Sequence, residues 1–211
     1  MATERLTRAD GYPRDWEPPR RASVDEFRRI SDASAKRYEY RDGWMWLRGY
    51  PPTYRLGMAG GTWAHADLTR AIQRRLEDAT AGMPCRVGNQ DIELWVSDDK
   101  YYFPDAFVIC GQPHDPRSRS ARDPVLVVEV LSESTAEIDR GDKLEDYLAL
   151  PSMREYLLLE TRKVGGTLYR RESDVWVVHP LRAGAMLCLV SVGLELTLAD
   201  LYAHTGLLEA D

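Results

Sequence analysis

Cysteine is scarce in this chain. Its three cysteines, Cys85, Cys110 and Cys188, stand far apart and form no C-x-x-C pair, so neither a disulfide framework nor a structural zinc site is indicated. Reduced thiols in a cytoplasmic setting are the expectation. Long apolar runs are missing as well. No segment approaches the roughly 18 apolar residues of a membrane span, and the first 21 residues lack the apolar stretch of a signal peptide. A soluble protein with no membrane partner is therefore expected. Nor does one sign of charge dominate: 28 Lys and Arg against 34 Asp and Glu leave a formal charge of −6. That balance argues against non-specific coating of nucleic acid, while leaving room for a local basic groove. His114, His179 and His204 have no metal-ligand spacing, and no segment repeats at a fixed period.

What remains is enough for one core. The chain has 211 residues, 44% of them hydrophobic, which suits a single domain over residues 22–211 preceded by an arm. Residues 1–21 mix five arginines, four acids and several prolines without an apolar period, the composition of a disordered or loosely held segment. Ser23-Val-Asp-Glu26 has the capping-box pattern and predicts a helix from Val24. RYEYRDGWMWL alternates around Asp42-Gly43 and predicts a hairpin. Leu68, Ala71, Ile72, Leu76 and Ala79 follow a helical period, with Arg70, Arg74 and Arg75 on the opposite side.

Beyond Gly82 and Pro84, residues 85–111 read as strand, hairpin and strand with a turn at Ser97–Lys100, followed by an exposed loop from Gln112 to Asp123. Ser134-Thr-Ala-Glu137 predicts a second capping box and one helix running to Pro151. Strands are expected over REYLLLET, TLYRRES and VWVVHP, with Gly165-Gly166 as a turn, and LTLADLYAHTG closes with a short helix.

One residue is out of place. PVLVVEVL reads as a central strand covered on both faces, yet it contains Glu129, and an ionised carboxylate in such a strand is costly unless it is paired, hydrogen-bonded or bound to a cation. Asp105 follows Pro104 in the preceding strand region. Two carboxylates on neighbouring strands suit a hard divalent ion such as Mg²⁺, which prefers oxygen ligands and keeps waters for a phosphate. Lys143 lies four residues from Asp139 and four from Tyr147, so the three line one helical face. A structural ion pair of Glu129 with Arg140 or Lys143 is the plainer alternative.

Pro104-Asp105, Glu129 and Lys143 together resemble a variant of the PD-(D/E)xK nuclease arrangement, whose lysine stands two residues after the second acid. Leu131 occupies that position here, and it shares a strand face with Glu129. The wording VVEVLSESTAEIDRGDKLEDYLALPSMREYLLLET, with YYFPDAFVICG, TWAHADLTRAIQRRLE and RYEYRDG, is similar to the Uma-type restriction endonuclease family over roughly residues 23–205, an agreement of several ordered motifs.

The resemblance implies an α/β fold of the α+β kind, a restriction-endonuclease-like mixed sheet flanked by helices. It also implies a Mg²⁺- or Mn²⁺-dependent endodeoxyribonuclease that hydrolyses DNA phosphodiester bonds in line. Asp105, Glu129 and the main-chain carbonyl of Val130 would hold the metal, and Lys143, supplied from the following helix, would orient the attacking water or stabilise developing charge. Glu39 would add a supporting carboxylate, and His65 and Tyr147 would line the substrate groove. A homodimer, addressing two strands with two sites, is the expected assembly. The competing expectation is a catalytically silent nucleic-acid-binding or protein-interaction module on the same fold.

Overall fold

The structure is a computed structural model that describes residues 16–52, 62–111 and 115–208. Residues 1–15 of the expected arm, residues 53–61 and His114 lie outside the described residues. From Glu17 onward the chain is tied down: Glu17 accepts hydrogen bonds from Lys36 and from the Tyr38 hydroxyl. Arg20–Arg21 form a short strand, β1. Ser23 then caps helix α1 (Val24–Ala33), its hydroxyl accepting from Glu26 N as the capping box requires. The hairpin of β2 (Tyr38–Arg41) and β3 (Trp44–Leu47) turns at Asp42-Gly43, where both residues have positive φ, 50° and 84°. Those angles match the right-handed twist of a two-residue hairpin.

Helix α2 (Trp63–Ala79) buries Leu68, Ile72 and Leu76, as its period predicts. The next strands are β4 (Cys85–Asn89), β5 (Glu93–Ser97), β6 (Lys100–Tyr102) and β7 (Ala106–Cys110). A two-residue strand β8 (Ser120–Ala121) precedes the apolar strand β9 (Pro124–Val130). Two short helices follow, α3 (Ala136–Arg140) and α4 (Asp142–Leu148). The chain closes through β10 (Glu155–Leu159), β11 (Gly165–Glu172), β12 (Val175–Arg182), β13 (Met186–Leu189), β14 (Leu194–Thr197) and helix α5 (Leu198–Tyr202).

The strands form two six-stranded sheets, ordered β1-β3-β2-β6-β5-β8 and β12-β11-β10-β9-β7-β4, with β13-β14 as a separate pair. Both large sheets are mixed, and the second is centred on β9, which runs parallel to β10 and antiparallel to β7. Side-chain alternation along β9 divides the core. Leu126, Val128 and Val130 pack with α2 and α5, whereas Val127 and Leu131 pack with Ile138 and Tyr147. Trp46, Leu94 and Tyr102 of the first sheet join that second cluster. Glu129 has the same parity as Val127 and Leu131, so it points into the space between the two sheets and α4.

Four local expectations are corrected. The capping box at Ser134 is not made: Thr135 stands at the cap position without a side-chain bond, and Ser132 instead receives Thr135 N on its hydroxyl and Ala136 N on its carbonyl. The single helix expected after it is broken at Gly141 (φ −112°, ψ −100°) into α3 and α4. Gly165 and Gly166 are not a turn but the first residues of β11, and a Cβ on Gly166 would sit 2.3 Å from Leu158 O, so glycine there permits close strand approach. The fourth concerns the thiols. Cys85 and Cys110 face each other across β4 and β7 with Cα atoms 4.0 Å apart and are joined as a disulfide, leaving Cys188 free. Their sequence separation carries no trace of this pairing, because strand register creates it. Among the described residues no helix is long and apolar enough to cross a membrane.

Candidate active site

Asp105 sits one residue before β7, in the Phe103–Asp105 link by which the chain passes from the first sheet to the second. Pro104 supplies no amide there, and the Asp105 amide leaves the ladder to donate to Glu129 Oε2 at 3.3 Å. The register explains the meeting: Ala106 pairs with Val128, so the preceding residue lies beside Glu129. The Asp105 carboxylate in turn accepts from Val130 N (2.8 Å) on Oδ2 and from Arg48 Nη2 (2.7 Å) on Oδ1, with His65 Nε2 3.4 Å from Oδ2. Arg48 Nε holds Phe103 O at 2.8 Å, and Gln73 Nε2 holds Asp105 O at 2.8 Å. The link is therefore gripped from β3's end and from α2.

Glu129 meets the helices. Lys143 Nζ lies 3.1 Å from Glu129 Oε1, 3.1 Å from Asp139 Oδ1 and 3.3 Å from Glu39 Oε1. Gly141 divides the helix, yet the four-residue spacing still brings Asp139 and Lys143 onto one face. Only the Glu129 contact is aligned as a hydrogen bond, and Asp139 Oδ1 has no aligned donor despite full burial, so its attraction to the ammonium is electrostatic. Glu39 is fixed by Trp46 Nε1 (2.9 Å) and Phe103 N (3.1 Å). Tyr147 stands farther off, its hydroxyl 3.5 Å from Glu129 Oε1. Arg140, the other partner open to Glu129 on sequence grounds, pairs with Glu160.

All of the residues singled out by sequence thus come to one place: Glu39, His65, Asp105, Glu129, Lys143 and Tyr147, with the Val130 amide on Asp105. Glu39, Asp105, Glu129 and Lys143 are each no more than 3% exposed. A cavity of about 280 Å³ opens over them, lined by Glu39, Arg48, His65, Asp105, Glu129 and Lys143 on one side and by the hydroxyl residues Ser132, Ser134 and Thr135 on another.

The two central carboxylates are shifted in opposite directions. Burial works to raise the Asp105 carboxyl, but the His65 contact, the Arg48 charge and the Val130 amide outweigh it and hold it at about 2. Burial pushes Glu129 well above the usual range, and neighbouring Asp139, Asp105 and Glu39 push the same way against Lys143. Asp139 is raised for the same first reason, burial, with Lys143 opposing. Burial alone would lower Lys143, yet Glu129, Glu39 and Asp139 raise it well above its ordinary value, so the ammonium stays charged.

A divalent cation is one way in which the charge of this cluster could be balanced. Four buried carboxylates face the fixed charges of Lys143 and Arg48, an excess of negative charge in low dielectric that a cation would offset. The unaligned Asp139 Oδ1 and the raised Glu129 are where that excess is felt. Among the described residues no three His, Cys, Asp or Glu side chains are arranged to enclose an ion by themselves. A cation would therefore rest on Asp105 and Glu129 plus main-chain, water and phosphate oxygens, the open coordination that Mg²⁺ uses with phosphate substrates.

Two participants escape the sequence reading. Arg48 lies just past an apolar β-strand and has no motif around it; only the fold turns it onto the Pro104-Asp105 link. Asp139 was visible as a helical neighbour of Lys143, but nothing local marks it as a third carboxylate on an ammonium shared with Glu129 and Glu39.

Comparison with known proteins agrees with this architecture. The uncharacterized protein slr1290 of Synechocystis sp. is 30% identical over 186 residues, covering 85% of this chain and 90% of that protein. A second uncharacterized Synechocystis protein, sll1609, is 31% identical over 106 residues, covering 49% of this chain and 60% of that protein. The crystal structure of a "putative nuclease belonging to DUF820" from Anabaena variabilis superposes with a TM-score of 0.67 over 87% of this chain and 99% of that one, at 16% sequence identity. At that identity the superposition establishes a shared fold. Residues 24–199, which span both sheets and the whole carboxylate cluster, match the Uma2 family model, described as "Putative restriction endonuclease", and the chain belongs to that family.

Proposed function

We propose that this protein is a metal-dependent endonuclease that hydrolyses DNA phosphodiester bonds by in-line attack of water. The observation that carries the reading is that Asp105, Glu129 and Lys143 line one cavity and meet at Glu129, whose Oε2 accepts from the Asp105 amide and whose Oε1 lies 3.1 Å from Lys143 Nζ. Asp105 and Glu129, with the Val130 carbonyl, would hold Mg²⁺ or Mn²⁺. Such an ion, when bound, neutralises phosphate oxygens and makes water a better nucleophile at neutral pH. Asp105 is suited to its part because it is ionised across the physiological range. Lys143 keeps its proton, so it balances the charge that develops at the site and does not act as a base. Glu39 holds Lys143 from the first sheet and His65 stands on the cavity wall, while Tyr147, fully buried, backs Glu129 from the core and does not line the groove. Two copies acting together would address the two strands of a duplex.

The second reading is a catalytically silent nucleic-acid-binding or protein-interaction module. It draws on one observation: the Lys143 ammonium is surrounded by three carboxylates and is complete as a buried ion network. Thermal unfolding with Mn²⁺, followed by nicking of supercoiled plasmid, separates the two. On the nuclease reading Mn²⁺ raises the melting temperature and supports nicking, and Asp105→Ala and Glu129→Ala abolish both. No Mn²⁺ response in the wild type would leave the silent module. Light scattering of the same samples checks for a dimer.

A further inference from the structure

The two cations that line the cavity are not equally available to a substrate. An ammonium has three N–H donors, and three carboxylate oxygens already stand within 3.3 Å of Lys143 Nζ. Its side chain is 4% exposed. Bringing a phosphate oxygen to it would mean displacing one of those carboxylates. Arg48 is different. A guanidinium has five N–H donors in a fixed fork, and among the described residues Arg48 uses Nε on Phe103 O and one Nη2 hydrogen on Asp105 Oδ1. Its Nη1 makes no hydrogen bond among the described residues. The side chain lines the cavity and is 27% exposed, while its Asp105 partner is 4% exposed. Gly49, the next residue on the cavity wall, carries no side chain.

From this asymmetry we infer that Arg48, and not Lys143, is the group that receives a non-bridging oxygen of the scissile phosphate. The inference rests on the endonuclease reading and names a residue that the PD-(D/E)xK resemblance leaves out. Nε and Nη2 fix the plane of the fork against the Phe103–Asp105 link, so the donors left over, those of Nη1 above all, are held in one orientation on a side chain that lines the cavity. Such pre-orientation is what makes a charge-assisted hydrogen bond to phosphate effective. Lys143 is then a positioning residue, holding Glu129, Asp139 and Glu39 in place. The assignment also answers how a phosphate can approach a site rich in carboxylates: the approach is made on the arginine's side.

The test is a cycle between protein and substrate. A duplex oligonucleotide whose cleavage position has been mapped with the wild type in Mn²⁺ is prepared with the natural phosphate or an uncharged methylphosphonate at that linkage. Binding of both is measured in EDTA for the wild type, Arg48→Ala and Lys143→Ala, with the melting temperature of each variant recorded. The methylphosphonate is expected to weaken wild-type binding about 10- to 100-fold, the worth of one charge-assisted hydrogen bond. In Arg48→Ala the natural duplex binds that much more weakly, and the methylphosphonate adds less than about twofold, because the contact is already gone. In Lys143→Ala the methylphosphonate penalty persists. A methylphosphonate penalty that persists in full in Arg48→Ala overturns the assignment and makes Arg48 a structural partner of Asp105 alone. If Arg48→Ala does not fold, Arg48→Gln, which can still donate to the link, takes its place in the cycle. A wild type that neither cuts nor binds DNA refutes the endonuclease reading, and the assignment falls with it. One that cuts while the Arg48 and phosphate penalties multiply refutes the assignment only.

Discussion

Asp105 and Glu129 sit side by side and would share a cation, yet the structure predicts that neutralising them has different consequences for folding. The comparison is Asp105→Asn against Glu129→Gln, each measured in EDTA. A carboxyl held at about 2 in place of an ordinary 3.8 contributes about 2 kcal/mol to folding at neutral pH. Asparagine loses that and adds a second cost. Its amide nitrogen must face either Arg48 Nη2 or Val130 N, two donors on opposite oxygens of the carboxylate, and the unmatched donor adds roughly 1–3 kcal/mol. The sum is roughly 3–5 kcal/mol. In a chain of this size that lowers the melting temperature by roughly 6–20 °C.

Glu129 is raised by burial and by three neighbouring carboxylates, so its charge, unlike that of Asp105, does not itself stabilise the folded state. Glutamine therefore costs only the donor that its amide nitrogen leaves unmatched, Asp105 N or Lys143 Nζ, roughly 1–3 kcal/mol. The pH dependence separates the causes further. Because the folded-state value of Asp105 lies below its unfolded one, its charge-dependent stability is present above 3.8 and is lost as pH falls toward about 2. The gap between the wild type and Asp105→Asn should therefore narrow over that interval. Denaturant titrations across it provide the measurement. An Asp105→Asn protein as stable as the wild type at neutral pH, or a Glu129→Gln protein that loses more than Asp105→Asn, would refute the electrostatic account of the site.

Other perturbations follow from the same contacts. Lys143→Met leaves Glu39, Glu129 and Asp139 without their shared counter-charge; a loss of about 3–5 kcal/mol in EDTA is expected, partly recovered by Mn²⁺, and a loss under about 1 kcal/mol would contradict the ion network. Glu155, fully buried on β10, accepts from Arg170 Nε, Val190 N and the amide and hydroxyl of Ser191, fastening the β13–β14 turn to the second sheet. Glu155→Gln should cost about 3 kcal/mol while leaving the Mn²⁺ response intact, because the residue has no contact with the cavity. Alkylation of the unfolded chain without reductant should modify Cys188 alone, and all three cysteines after reduction. The 25-residue separation closed by Cys85–Cys110 corresponds to roughly 3 kcal/mol of stabilisation that reductant would remove.

How much of this was readable in advance depends on the range of the interaction. Caps, hairpins and amphipathic helices are local, and α1, the β2–β3 hairpin and α2 appear where their patterns predict. Glu129 was readable for another reason. A carboxylate inside VLVVEVL conflicts with its surroundings, and such a conflict marks a place where something distant must compensate. Leu131, two residues on and buried on the same face, rules out compensation from the strand itself. A helix that presents Asp139, Lys143 and Tyr147 in line is then the next element able to supply an ammonium.

Local pattern carries no signal where compensation comes from the register between elements. Cys85 meets Cys110, and Arg48 meets the Phe103–Asp105 link, through strand pairing and through the passage from one sheet to the other, and neither leaves a mark within a window of sequence. The break at Gly141 belongs to the same class. Glycine inside a helical pattern reads as a tolerated weakness, whereas here it divides the helix between Asp139 and Lys143, and the two side chains still meet while Tyr147 remains in the core. A sequence window can therefore locate an uncompensated charge, and only the sheet crossing supplies its second cation. For that reason the residue best placed to meet a substrate, Arg48, is the one that no motif announces.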